Sequence, residues 1–188
     1  MSKPELKTKR LLLEPLERRH ASELFGPLSD ASIYDFIPRD SPQSEEKLAE
    51  RFARLEAGRS PDSKQLWLNY AVRLMEGSAC IGKVQATVEA DSADIAYLFS
   101  PRYWGRGYAA EAVRALIGHL FAAHGVRVVR AATDTRNTRS AALLERLGFT
   151  RTGRKDDADH FKGGPSHEFL YELRRELWMM QPKGGQNA

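Results

Sequence analysis

One cysteine stands in 188 residues. Cys80 therefore has no partner for an internal disulfide, and no thiol cluster is available to a metal. Beside a strand-like run it reads as a small buried hydrophobe, not a nucleophile. The five histidines include no pair at metal-ligand spacing, so no metal site is expected. No apolar run approaches the ~18 residues of a membrane span, no signal-peptide pattern opens the sequence, and no internal repeat or low-complexity stretch occurs. These absences exclude a disulfide scaffold, a helical membrane protein and a solenoid. The expectation is a reduced, cytoplasmic protein with no membrane partner.

What remains fits one domain, long enough to bury about 70% of its unfolded surface. We expect that domain over residues 1–180 and a flexible tail over residues 181–188. The net charge of +4 is unevenly spread: residues 102–155 hold eleven Lys and Arg against only Glu111, Asp134 and Glu145. Such a basic half suits a small polyanion, and it also suits nucleic acid, although no reader motif accompanies it.

Leu11 and Leu13 read as a strand ending near Pro15, and residues 17–28 carry a weak helical period. Ser41-Pro42 reads as a helix start, with Leu48, Phe52 and Leu55 on one face and Gly58 closing it. Strict alternation from Leu66 to Leu74, a Glu76-Gly77 turn and Ile81, Val84 and Val88 predict a hairpin, and Asp91-Ser92 leads into a third strand at residues 95–99. Ala109, Val113, Leu116, Leu120 and Phe121 then mark a helix ended by Gly125, before a β-branched strand at residues 126–132. Strand, helix, strand implies a right-handed crossover with the two strands parallel. Asn137 or Thr138 starts a helix that Gly148 ends. Residues 149–154 and 169–173 read as closing strands around a polar, glycine-rich loop at residues 156–166.

Between the strand at residues 95–99 and its helix lies Arg102-Tyr103-Trp104-Gly105-Arg106-Gly107-Tyr108-Ala109. Two glycines one residue apart let backbone N–H groups approach a ligand, the helix start adds partial positive charge, and Arg102 and Arg106 can pair with phosphate oxygens. The bland alternative is a solvated turn using glycine for its bend. Gly105-x-Gly107-x-x-Ala110 also satisfies a dinucleotide fingerprint, but five residues separate it from its strand and it falls past mid-chain.

Several motifs in this order resemble the GNAT superfamily of acyl-CoA-dependent N-acetyltransferases, and within it the RimJ/RimL-like branch. They are Thr8-x-Arg10-Leu11-x-Leu13-x-Pro15-Leu16, Ile81-Gly82, Arg102-x-x-Gly105-x-Gly107-Tyr108-Ala109-x-Glu111-Ala112, Thr133-Asp134-x-x-Asn137-x-x-Ser140, Leu147-Gly148-Phe149 and Glu176-Leu177-Trp178. The resemblance implies an α/β (α+β) single-domain fold: a mixed, mostly antiparallel seven-stranded sheet with splayed parallel central strands, flanked by helices. It implies acetyl-CoA as co-substrate, with the pyrophosphate on Arg102, Gly105, Arg106, Gly107, Tyr108 and Ala109. The pantetheine arm would lie along Leu98 and Phe99 and reach Asn137 and Ser140.

The implied reaction is direct attack by a primary amine, either a protein N-terminus or a small molecule, through a tetrahedral intermediate. Ser140 matches the position proposed to protonate the leaving sulfur in RimL-like relatives, while Leu144 stands where many members carry tyrosine. Asn137 is equally a helix cap, and Asp134 equally a loop stabiliser. Glu89 and Asp94, bracketing a turn, are the carboxylates considered as general base. Tyr97 is core or site lining, Trp104 and Tyr108 cover the coenzyme or pack on the sheet, and Trp67 points to an acceptor site or a dimer contact. His119 and His124 read as surface residues. A non-catalytic acyl-CoA sensor on the same fold is the alternative function, and a homodimer through the closing strands is the oligomer considered.

Overall fold

A computed structural model describes residues 3–181. The segment at 182–188 of the expected tail lies outside the described residues, whereas Gln181 is held, its Nε2 donating to the Leu147 carbonyl at 3.1 Å. The chain runs β1 (Leu6–Lys7), β2 (Leu11–Pro15), α1 (His20–Leu28), a 3-10 turn (Ala31–Tyr34), α2 (Glu45–Glu56), β3 (Leu66–Leu74), β4 (Cys80–Glu89) and β5 (Ser92–Phe99). A second 3-10 turn (Pro101–Tyr103), α3 (Tyr108–Ala123), β6 (Val128–Asp134), α4 (Thr138–Arg146), β7 (Thr150–Phe161), β8 (Gly164–Arg174) and α5 (Arg175–Met180) follow.

One sheet of eight strands, not seven, carries the described residues in the order β1-β2-β3-β4-β5-β6-β8-β7. The added strand is β1, two residues whose short span left no alternation to read. Every neighbouring pair is antiparallel except β5 and β6, which are parallel as the crossover through α3 requires. Apolar side chains alternate to opposite faces and build two cores. Leu68, Tyr70, Val84, Ile95 and Phe99 pack beneath Val113, Leu116 and Leu120 of α3 and Leu144 of α4. On the other face Ala71, Cys80 and Leu98 pack with Leu24 of α1 and Leu48 and Phe52 of α2.

Two local readings change. The cap of α2 is Ser44, whose side chain accepts from the Lys47 N–H at 3.2 Å, so Ser41-Pro42 precedes the helix without starting it. Residues 156–166 form no open loop: β7 and β8 continue to a tight turn in which Lys162 (φ 51°) and Gly163 (φ 80°) both take left-handed backbone. Positive φ at both central residues fits a type I′ hairpin, and backbone pairing orders a segment whose polar composition carried no strand signal.

Candidate active site

The parallel pair β5 and β6 meets only at Ser92↔Val128, Ala93↔Val129 and Asp94↔Arg130. Beyond Asp94 the strands part: β6 continues against β8 to Asp134, and β5 continues against β4 to Phe99. Residues 95–99 therefore present one backbone edge that β6 does not occupy, an opening suited to an added extended ligand. Gly82 permits the tight approach of β4 there, since a Cβ on it would meet Phe99 Cδ1 at 2.7 Å and Phe99 Cα at 2.9 Å.

At the end of β5 the chain turns through Gly105 (φ 73°) into Gly107 (φ 79°), the cap residue of α3. No side chain caps this helix, so the first amides of α3 are left for a ligand. A Cβ at Gly105 would meet nothing within 4 Å, and one at Gly107 only Arg10 Nη2 at 3.4 Å. Arg102 and Arg106 are both exposed, Arg106 lying 5.9 Å from the Tyr103 ring. Tyr108 and Ala109 sit half-buried in the first turn, and Leu98 and Phe99 are buried where β5 reaches it.

The cradle is tied to the far edge of the sheet by a network whose residues the motifs contained but whose role they did not reveal. Buried Glu111 accepts from the Thr8 hydroxyl (2.6 Å), the Arg10 backbone N–H (2.9 Å) and Arg10 Nε (2.6 Å). Arg10 Nη1 in turn donates to the Arg106 carbonyl at 3.0 Å, and the guanidinium lies 4.5 Å from the Tyr108 ring centroid. Burial pushes the Glu111 carboxyl up, and the Thr8 and Arg10 hydrogen bonds outweigh it, holding the group below its ordinary value. Spacing could not show this contact, which joins residues about 100 positions apart.

Across the splay, Tyr97 OH and Ser140 Oγ lie 2.8 Å apart, joining β5 to the first turn of α4. Burial pushes the Tyr97 phenol up to about 12, so it stays protonated near neutrality. Asn137 serves as cap, its Oδ1 accepting from the Ser140 N–H at 3.1 Å, which holds the Ser140 backbone in the first turn of α4. Leu144 is buried, consistent with the absence of a tyrosine hydroxyl there. Asp134 receives the Arg136 backbone N–H and guanidinium and the Ser166 hydroxyl (2.8 Å), a loop-stabilising role. The Arg136 contacts hold its carboxyl down at about 2.

Glu89 and Asp94 stand one same-face register step apart on β4 and β5, and only Asp94 borders the opening. Glu89 pairs with Ser92 at the closed end of β5, its Oε2 accepting from Gln65 Nε2 at 2.9 Å, while exposed Asp94 marks the last paired register before the splay. His119 and His124 correct a surface reading: both are half-buried, their Nε2 atoms 2.9 Å apart. Burial pulls both below the usual histidine value, and His124 adds repulsion at His119. Cys80 is buried and its thiol pushed up to about 12 by desolvation. Trp104 packs half-buried, donating to the Phe99 carbonyl at 2.8 Å. Half-buried Trp67 donates to Gln65 Oε1 at 3.3 Å.

On the α1 and α2 face, the β7–β8 hairpin reaches over the chain after the first 3-10 turn. Lys162 Nζ donates to the Tyr34 carbonyl at 2.6 Å, and Arg136 lies about 6 Å from both the Phe36 and Phe161 rings. This roof escaped the sequence reading because the hairpin did.

A mixed sheet opening between two parallel strands, with a glycine turn and helix start at its mouth, is the architecture of an acyl-CoA-dependent N-acyltransferase. The chain belongs to the Acetyltransferase (GNAT) domain family, whose model matches residues 10–150. It is similar to the FsC-acetyl coenzyme A-N(2)-transacetylase of Aspergillus fumigatus, 25% identical over 97% of this chain and 81% of that protein. It is 31% identical to YkkB of Bacillus subtilis, over 82% of this chain and 91% of YkkB. In fold it resembles the ribosomal-protein-S5-alanine acetyltransferase of Vibrio fischeri, with TM-score 0.80, 18% identity, and 96% and 100% of the two chains covered.

Proposed function

We propose that this enzyme transfers the acetyl group of acetyl-CoA to a primary amine, a protein N-terminus or a small molecule, by direct attack and without an acyl-enzyme. The observation that carries the reading is the free β5 edge at residues 95–99, running through Gly105, with open space beside it, into a helix start at Gly107 that no side chain caps. Acetyl-CoA supplies an activated thioester. Its pantetheine arm would pair with backbone at Leu98 and Phe99. Its pyrophosphate would take the amides from Gly105 to Ala109, with Arg102 and Arg106 alongside.

Ser140, in the first turn of α4 and bonded through its hydroxyl to Tyr97, is the group we assign to protonate the leaving sulfur. Tyr97, protonated near neutrality and within hydrogen-bond distance of Ser140, would hold the Ser140 hydroxyl in place, with the proton that Ser140 gives up restored from solvent. Asp94, at the vertex of the splay, is the carboxylate we assign to receive the amine proton through water. Glu89, engaged by Gln65, lies further from the opening.

Calorimetric titration with acetyl-CoA, wild type against Gly107→Trp, tests the cradle. Tight binding lost in the variant supports the reading, and absent binding in folded wild type overturns it. CoA release with an amine panel then separates transfer from binding alone, since binding without turnover would indicate a sensor.

A further inference from the structure

Lys83 is the one lysine that the fold buries among the described residues, at 2% exposure. Its position on β4 lies between Ala71 of β3 and Leu98 of β5, both in the core under α1 and α2, so its side chain rises into that layer. There Nζ donates to Gln85 Oε1 at 2.9 Å, and no carboxylate pairs with it among the described residues. Arg39, beyond the first 3-10 turn, stands 5.8 Å from the Tyr34 ring centroid, and its Nε is buried without a hydrogen-bond partner. Other arginines, such as Arg10, Arg73 and Arg136, meet carboxylates.

Burial pulls the Lys83 ammonium down to about 7, and repulsion from Arg39 and Arg51 adds to this. Burying a cationic group without a counter-charge is strongly unfavourable. Arg39 packs on Tyr34, which belongs to the same core layer as Ala71 and Leu98, so an ammonium without a carboxylate and a guanidinium with an unpartnered Nε share that layer, an arrangement that an anion completes. The guanidinium fork and the ammonium together match a planar carboxylate. The same strand face leads to the opening: half-exposed Gln85 follows Lys83 by two residues and pairs with exposed Ala96, on the stretch of β5 that β6 leaves free.

We propose that the acceptor amine also carries a carboxylate, received by Lys83 and Arg39 while the amine lies at the splay beside Gln85 and Ala96. This assignment rests on the N-acetyltransferase reading above. It selects amino acids and short peptides over polyamines and neutral amines.

Two measurements test it on the full chain. CoA release is compared for ω-amino acids of increasing length, each against its carboxamide, and for a diamine. At least a tenfold higher kcat/KM for one or more carboxylates is expected, lost through KM in Lys83→Met and in Arg39→Gln. Thermal unfolding with CoA present is followed with the N-acetyl derivatives of the same pairs, which need no turnover. Stabilisation by the carboxylate form in wild type alone is expected, while Lys83→Met without ligand should unfold at a higher temperature than wild type. Amides or the diamine transferred as well as the carboxylates would overturn the carboxylate assignment and leave the enzyme reading intact, as would a preference that survives both variants. Absent acetyl-CoA binding would sink the enzyme reading separately, and equal thermal shifts for both N-acetyl forms would overturn the carboxylate site even then.

Discussion

Replacing Glu111 with alanine removes the acceptor from three donors at once: the Thr8 hydroxyl, the Arg10 N–H and Arg10 Nε. A hydrogen bond to a charged group contributes about 1.5–3 kcal/mol, but these three share one carboxylate and do not add. The Glu111 side chain is 3% exposed and the Arg10 side chain 43%, so screening reduces the ion-pair share. A net loss of about 3 kcal/mol is expected for Glu111→Ala, and roughly half that for Glu111→Gln, which keeps one acceptor oxygen. At about 2–4 °C per kcal/mol for a chain of this size, the alanine variant should unfold roughly 6–12 °C lower. Urea unfolding should show a lower midpoint with an unchanged slope.

Arg10 also holds the Arg106 carbonyl, so loosening it should weaken acetyl-CoA binding by about tenfold, or about 1.4 kcal/mol. The pH dependence follows from the sign of the shift. Glu111 sits below its ordinary value of 4.5 in the native protein, so the unfolded chain takes the proton first on acidification. Its stabilisation is complete above that ordinary value and is lost as pH falls through the lower native one, a loss the Glu111→Gln variant should not show. A destabilisation under about 1 kcal/mol in Glu111→Ala, or unchanged acetyl-CoA affinity, would refute the latch.

Gly82→Ala should cost about 1–3 kcal/mol by forcing β4 from β5 at the splay, and calorimetry should show weaker acetyl-CoA binding; unchanged stability would refute the close approach. Ser140→Ala should lower kcat by about 100-fold with little change in KM, and Tyr97→Phe should lower it less; equal kcat in both variants and wild type would remove the hydroxyl pair from the reaction. Asp134, held at about 2 against an ordinary 3.8, stabilises the loop above pH 3.8 and loses that contribution as pH falls toward 2. Acid unfolding of Asp134→Asn should lack this step. Cys80, buried with its thiol near 12, should resist alkylation at pH 8 until urea unfolds the chain, and fast labelling of the native protein would contradict its burial.

Periodic and punctuated segments are legible in the sequence. Alternation in β3 and the apolar stripe of α3 report which face is buried, and that is a local property of consecutive residues. The cradle is legible for the same reason, because Gly105 and Gly107 mark positive φ by their identity. The hairpin through residues 156–166 is not: at the sheet edge its order comes from pairing to a partner strand, and polar side chains carry no burial pattern to read. Ser41-Pro42 offers a start signal as good as Ser44, and only the helical hydrogen bonds choose between them.

The site divides along the same line. By itself the sequence determined the order of elements and the glycine turn before α3, since each depends on residues within a turn or a strand of one another; the parallel crossover followed from that order, and Ser140 stood out only through the family resemblance. Tertiary structure alone decided that Thr8 and Arg10 clamp Glu111, that Tyr97 meets Ser140, and that Lys83 is buried facing Gln85 with no carboxylate partner among the described residues. The first two contacts join residues tens to about a hundred positions apart. Their strength comes from shared burial and direction, which arise only once the sheet has brought its strands together.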